Sequence, residues 1–227
     1  MCGIVGFVGT KKAAPILLDG LERLEYRGYD SAGIAVLEDG KIQIKKTVER
    51  ISALKGETNN GEDVAGQIGI GHTRWATHGA PCTRNAHPHT GFKGRFAIVH
   101  NGIIENYIEL KDELIASGVT FKSETDTEVV AHLLETYYEG DVFAALSKTI
   151  SRLEGSYSLG VICNEHPDTL YAVRHFSPLI IGLGEDNNYI ASDVTALISH
   201  TKNVLYIEDG EIAVITKDKV EIFTPDG

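Results

Sequence analysis

Cys2-Gly3-Ile4-Val5-Gly6-Phe7-Val8 is an apolar run interrupted only by glycine, and it predicts a buried strand over residues 2–8. Ala14, Leu17, Leu18, Leu21 and Leu24 then recur at helical spacing, so a helix is expected to run to about Glu25. Pro15 fits only near its first turn. Residues 26–31 close the helix. Ile34 to Leu37 and Ile42 to Lys45 read as two strands joined through Asp39-Gly40, a pair that favours a type I′ hairpin. The polar residues 56–66 read as a mobile loop.

Farther along, 68–74 and 96–99 read as strands. The stretch between them carries two prolines, three histidines and little apolar periodicity, and a loop that long in a compact domain is usually functional. Helices are expected around Ile108, Leu110, Leu114 and Ile115, and around Val129, Val130, Leu133, Leu134 and Tyr137. Thr125 and Glu128 have the spacing of a capping box that would start the second. A third, with Phe143, Leu146, Ile150 and Leu153, is expected to run to Gly155. Beyond Gly155, short runs of Ile, Val, Leu and Tyr between turn residues, with a second hairpin signal at Asp209-Gly210, predict an antiparallel meander. Hairpins at both ends with helices between them argue for layered sheets rather than alternating parallel units. No linker, repeat or change of composition divides the chain, so 1–227 reads as one domain, and the turn signature Pro225-Asp226-Gly227 suggests a cut at its boundary.

The chain has 227 residues, 42% hydrophobic and 23% charged, which excludes disordered and fibrous classes. Its formal charge of −11 has the wrong sign for a nucleic-acid or anionic-membrane partner. No segment reads as a signal peptide, and none approaches the ~20 apolar residues of a membrane span. Cys2, Cys82 and Cys163 are odd in number and far apart, which argues for a reducing, cytoplasmic setting rather than a disulfide framework.

Cys2 is the first candidate for chemistry. A free thiol has a pKa of ~8.5 and normally needs a base beside it. Removal of Met1 would place a terminal amine, pKa ~7.7–8.0, on the residue that carries the sulfur. The alternative is a small buried residue in a first strand. Gly71-His72-Thr73-Arg74-Trp75-Ala76-Thr77-His78-Gly79 crowds aromatic, cationic and hydroxyl groups at a strand end, where a polar ligand is easily clamped. His87-Pro88-His89 could suggest a metal, but no carboxylates or cysteines join these histidines at structural-zinc spacing, so no metal is expected. His100-Asn101-Gly102 ends an apolar strand: an Asn amide and a glycine N–H can converge on an oxyanion, or form an ordinary Asn-Gly turn. Asp126 falls in the first turn of a helix, where a carboxylate also serves the helix dipole. Walker and Rossmann glycine patterns are absent, and no cofactor is expected.

Taken together, Cys2-Gly3-Ile4-Val5-Gly6, Leu24-Glu25-Tyr26-Arg27-Gly28-Tyr29-Asp30-Ser31-Ala32-Gly33, the Arg74 to Gly79 loop, Asn85-Ala86-His87-Pro88-His89, His100-Asn101-Gly102-Ile103-Ile104-Glu105-Asn106 and Ser123-Glu124-Thr125-Asp126-Thr127-Glu128 give a specific resemblance. The chain resembles the class II, N-terminal-nucleophile glutamine amidotransferases, most closely the glutaminase domains of glucosamine-6-phosphate synthases, over essentially its whole length. Amidophosphoribosyltransferases and asparagine synthetases rank second.

The resemblance implies an α+β fold, a four-layer α/β/β/α sandwich of mostly antiparallel sheets (the N-terminal nucleophile hydrolase fold). It implies that Cys2 attacks the side-chain amide of L-glutamine, with Asn101 and Gly102 as the oxyanion hole. Arg74, supported by Thr77 and His78, would take the substrate α-carboxylate and Asp126 the α-ammonium. Arg27 and Gly28 would lie near the Cys2 amine, Trp75 would help close the site, and His87 would neighbour it. The family's sugar isomerase half, which binds fructose 6-phosphate, is absent from this chain. Two rivals remain at this point: an amidohydrolase of the same nucleophile type acting on another amide, and a binding module that has lost turnover.

Overall fold

The computed structural model describes residues 2–75 and 79–227. The opening run forms β1 (Gly3–Gly9), buried throughout. It is followed by α1 (Ala13–Leu24), which buries Leu17, Leu18, Leu21 and Leu24, with Pro15 tolerated in the first turn. β2 (Ser31–Glu38) and β3 (Lys41–Thr47) pair in register from Ala32–Thr47 to Glu38–Lys41. Both turn residues, Asp39 and Gly40, have positive φ, as the type I′ hairpin requires.

The expected loop over 56–66 is corrected in part: α2 (Ile51–Glu57) reaches into it, and the following residues turn back on hydrogen bonds such as Asn60 N–H to Lys55 O at 2.7 Å. Burial of Ile51 and Leu54 stabilises a helix too short to show a clear period.

β4 (Ile68–Arg74), β5 (His89–Thr90) and β6 (Phe96–Ile104) follow, then α3 (Tyr107–Ala116), α4 (Thr127–Tyr137) and α5 (Val142–Ile150). α5 stops five residues short of the expected Gly155, because Arg152 and Leu153 N–H bond back three residues instead of four. β7 (Gly155–Cys163), β8 (His166–His175), β9 (Ile180–Leu183), β10 (Asn187–Ala191), β11 (Asn203–Tyr206), β12 (Ile212–Ile215) and β13 (Val220–Phe223) complete the chain.

Among the described residues the strands form two sheets, β11-β9-β10-β1-β4-β2-β3 and β13-β12-β8-β7-β6-β5, with every named pair antiparallel. The meander is therefore divided between sheets, and the Asp209-Gly210 turn joins no paired strands, since β11 belongs to one sheet and β12 to the other. Asp209 is used differently: its carboxylate accepts Phe176 N–H at 2.7 Å and faces Arg174 at 3.3 Å.

The layers follow from strand alternation. Val5, Phe7, Ile34 and Val36 pack with α1 on one outer face. Ile98, Leu159 and Val161 pack with α4 and α5 on the other. Ile4, Ile70, Val99, Ala172 and Ile190 fill the space between the sheets. The result is the four-layer α/β/β/α sandwich.

Candidate active site

The rows between the sheets end in chemistry. On β1, Ile4 and Val8 face the opposite sheet, so the two-residue period carries Cys2 into the same layer. On β4 the row Ile68, Ile70 continues as His72 and Arg74, and on β6 the row Ala97, Val99 continues as Asn101. Apolar side chains thus give way to polar ones at one end of the sandwich. A cavity of about 320 Å³ opens there, its wall including Cys2, Arg27, Arg74, Trp75, Asn101, Gly102 and Asp126.

Cys2 Sγ accepts the Trp75 N–H at 3.1 Å. Burial nevertheless pushes the thiol above its ordinary value, so the resting sulfur is protonated and needs a base. Arg74 is 4% exposed; it donates to Gly79 O at 3.0 Å and stands 3.5 Å from Asp30 Oδ1. The Asp30 N–H returns a hydrogen bond to Arg74 O at 2.7 Å.

Asp126 is buried at the N-cap of α4, one residue ahead of the expected first turn. Its Oδ2 accepts the Ile104 N–H at 2.9 Å, tying the helix to β6. The expected capping box is not formed, because Thr125 lies one position too early. Thr125 Oγ1 meets Ser123 Oγ and His89 Nε2 at 3.0 and 3.1 Å. The Glu128 carboxylate instead accepts Lys122 and Ser123 N–H at 2.8 and 2.6 Å. Although burial works upward, bonds from His132 and Ser123 hold Glu128 down at about 2.

The Asn-Gly turn is also overturned. β6 runs on to Ile104, with Asn101 and Gly102 opposite Ser158 and Tyr157 of β7. Asn101 Nδ2 donates to Cys2 O at 3.3 Å. Gly102 has φ 118°, and a Cβ there would run into the Ser156 carbonyl; no L side chain fits.

Arg27 lines the cavity but is ion-paired with Asp193. Gly28 does not line it: with φ 80° it lies directly against the Trp75 ring, which any Cβ would displace. Trp75 borders the cavity with 53% of its surface exposed, so it is not a core tryptophan. His87 also lines the cavity, buried, its ring 4.1 Å from His72 and 4.8 Å from His89 between centroids. Burial first, then neighbouring positive charge, pushes His87 well below the usual range and His89 to about 3. Thr77, His78 and Met1 lie outside the described residues.

Sequence reasoning missed Ser192, whose Oγ accepts the Ile4 N–H at 3.0 Å, and Asp193, which anchors Arg27 and caps a following turn through Thr195 N–H at 2.8 Å. Its Asp-x-Thr pattern signals a turn and nothing more. Among the described residues, no three His, Cys, Asp or Glu side chains are arranged to hold a metal.

Residues 38–221 match the family model described as a glutamine amidotransferase domain. The chain belongs to this family. This glutamine amidotransferase domain is 54% identical over 227 residues, all of the chain, to the glutamine–fructose-6-phosphate aminotransferase (isomerizing) of Clostridium tetani. It is 58% identical over 221 residues, 97% of the chain, to the protein of that name from Caldanaerobacter subterraneus subsp. tengcongensis. The chain spans 37% and 36% of those two proteins. Among solved structures, the glutamine phosphoribosylpyrophosphate amidotransferase of B. subtilis superposes with a TM-score of 0.86 at 27% identity, over 99% of this chain and 49% of that one. The amidotransferase sandwich is thus the fold of a known N-terminal-nucleophile enzyme.

Trp75 is the only tryptophan, so its emission reports this cavity alone. A Cys2→Ala variant titrated with L-glutamine should show a saturable shift in Trp75 emission, and D-glutamine should show none. Calorimetric binding of L-glutamine with unchanged emission would remove Trp75 from any closing role.

Proposed function

We propose that this chain hydrolyses the side-chain amide of L-glutamine to L-glutamate and ammonia through Cys2. The observation that carries the reading is the convergence of Cys2, Asn101, Arg74 and Asp126 on one cavity. A guanidinium and a carboxylate beside a thiol suit a zwitterion, with Arg74 meeting the α-carboxylate and Asp126 the α-ammonium. An acyl substrate without an amino-acid head group would leave both unused.

The Cys2 sulfur attacks the amide carbon, the C–N bond breaks, ammonia leaves, and water hydrolyses the glutamyl thioester. The Asn101 amide and the Gly102 N–H stabilise the negative oxygen formed in each half. Because burial keeps the thiol protonated, a base is needed, and the Cys2 amine exposed by removal of Met1 supplies one. Intact mass of active protein should show Met1 missing; activity in a chain that keeps it would exclude the amine as base. By the family resemblance Thr77 and His78 would support the carboxylate end; Arg27 and Gly28 frame the Cys2 side through Asp193 and Trp75, and His87 backs the wall.

Because the named relatives are aminotransferases of which this chain spans little more than a third, we read residues 1–227 as the glutaminase domain of a longer enzyme. Its ammonia would pass to a sugar isomerase domain that converts fructose 6-phosphate to glucosamine 6-phosphate, in amino-sugar precursor synthesis. Cys2, Cys82 and Cys163 are all free, and no helix among the described residues is long and apolar enough to cross a membrane; a cytoplasmic enzyme fits both. Ammonia release from L-glutamine, set against other amides and a Cys2→Ala control, tests the reading. Release from other amides but not from glutamine, or undiminished release by Cys2→Ala, would overturn it.

A further inference from the structure

His72 is fully buried on β4, in the same row as Ile68 and Ile70. Its Nε2 lies 2.9 Å from Asn101 Oδ1, a bond that spans the gap between the two sheets. On its other side the Asn101 amide meets Cys2 O, at 3.3 Å from Nδ2. A backbone carbonyl can only accept, so the NH2 edge of Asn101 must face Cys2 and its oxygen must face the ring. The ring must then donate from Nε2. Burial holds His72 at about 3, so the ring is neutral and carries a single proton, which the Asn101 oxygen draws to Nε2.

We propose that His72 is a positioning residue that locks the Asn101 side chain with its NH2 edge toward Cys2, where the oxyanion forms. The terminal torsion of asparagine is broad and roughly two-fold, and without His72 only the longer 3.3 Å bond to Cys2 O would oppose its rotation. Rotation would turn a carbonyl oxygen toward the developing negative charge. Because His72 sits on a rigid strand of one sheet and Asn101 on a strand of the other, the packing of the sandwich itself fixes the donor. The inference rests on the oxyanion role proposed above for Asn101.

The test is glutaminase kinetics on His72→Leu, His72→Gln and Asn101→Ala. Removing an oxyanion donor outright costs about a hundredfold or more in kcat, so releasing one to rotate should cost about 10- to 30-fold. His72→Leu should therefore lower kcat by that factor with KM within about threefold, and His72→Gln, whose amide reaches the Nε2 position, should restore most of the loss. In an Asn101→Ala background His72→Leu should add nothing further. An equal loss in that background, a loss carried mainly by KM, or a Gln variant no better than Leu would overturn the inference while leaving the oxyanion reading intact. Undiminished kcat in Asn101→Ala alone would remove both. If His72→Leu does not fold, His72→Asn against His72→Gln makes the same comparison, since asparagine reaches only the Nδ1 position.

Discussion

Replacing Asn101 with alanine is expected to lower kcat for L-glutamine by about a hundredfold or more while leaving KM nearly unchanged. In the oxyanion role proposed for it, the charge it would meet exists only along the reaction path, so the ground-state complex would not feel its loss. Arg74→Ala should show the opposite signature. A charge-assisted hydrogen bond contributes about 1.5–3 kcal/mol, so KM should rise about 10- to 100-fold with a much smaller change in kcat. Arg74 is buried and also holds Gly79 O and Asp30, so its truncation is destabilising as well, and the kinetics of Arg74→Ala are compared at a temperature where circular dichroism shows the variant folded. Steady-state kinetics with the two signatures exchanged would make the assigned roles untenable.

The second large effect concerns acid. His72, His87 and His89 are buried and held neutral, with pKa values depressed mainly by burial. In the unfolded chain each returns to ~6.5. Between ~6.5 and about 3, the folded value of His72 and His89, with His87 also held well below its usual range, the unfolded state therefore binds protons that the folded state does not, and stability rises with pH across that window and falls as the solution is acidified. Each ring adds up to about 1.4 kcal/mol per pH unit, so three together approach ~4 kcal/mol per unit, against a typical total of ~5–15 kcal/mol. The chain should melt steadily lower below pH ~6 and unfold well above pH 3. Thermal denaturation from pH 7 to pH 4 measures this directly. A flat melting temperature over that interval would mean that the three rings are already charged in the folded state.

Much of this was legible in the sequence because the decisive elements are periodic. The β1 run, the α1 leucines and the Asp39-Gly40 hairpin each stand on local chemistry that tertiary packing reinforces. What misled was chemistry with two local solutions. Asn101-Gly102 suits a turn, yet pairing with β7 keeps both residues in a strand, and only the positive φ of Gly102 marks the compromise. Asp209-Gly210 does make a turn, but one that passes the chain between sheets, which no short-range signal records. Thr125 and Glu128 have capping spacing, yet Glu128 is claimed by the backbone of Lys122 and Ser123. Within the site, Cys2, Arg74 and Asp126 were readable as reactive residue types. Asp193 was not, since its importance lies in a contact with Arg27 that spans 166 positions. The role argued for His72 likewise depends on a bond between sheets that spacing cannot reveal.

The position of β1 in its sheet has a consequence for biosynthesis. It lies in the interior of the sheet, flanked by β4 and β10, and its register with β10 pairs Val5 with Ala191 and Gly9 with Asn187. At ~5–20 residues added per second, the ribosome needs roughly 10–40 s after making Cys2 before it reaches that partner. Through that interval a strand made almost wholly of buried apolar residues has one flank uncovered, the situation in which nascent chains draw on chaperones. The same delay keeps the thiol out of its finished pocket until Ser192 arrives to accept the Ile4 N–H, so a truncated product ending before that residue would carry the proposed nucleophile without the pocket around it.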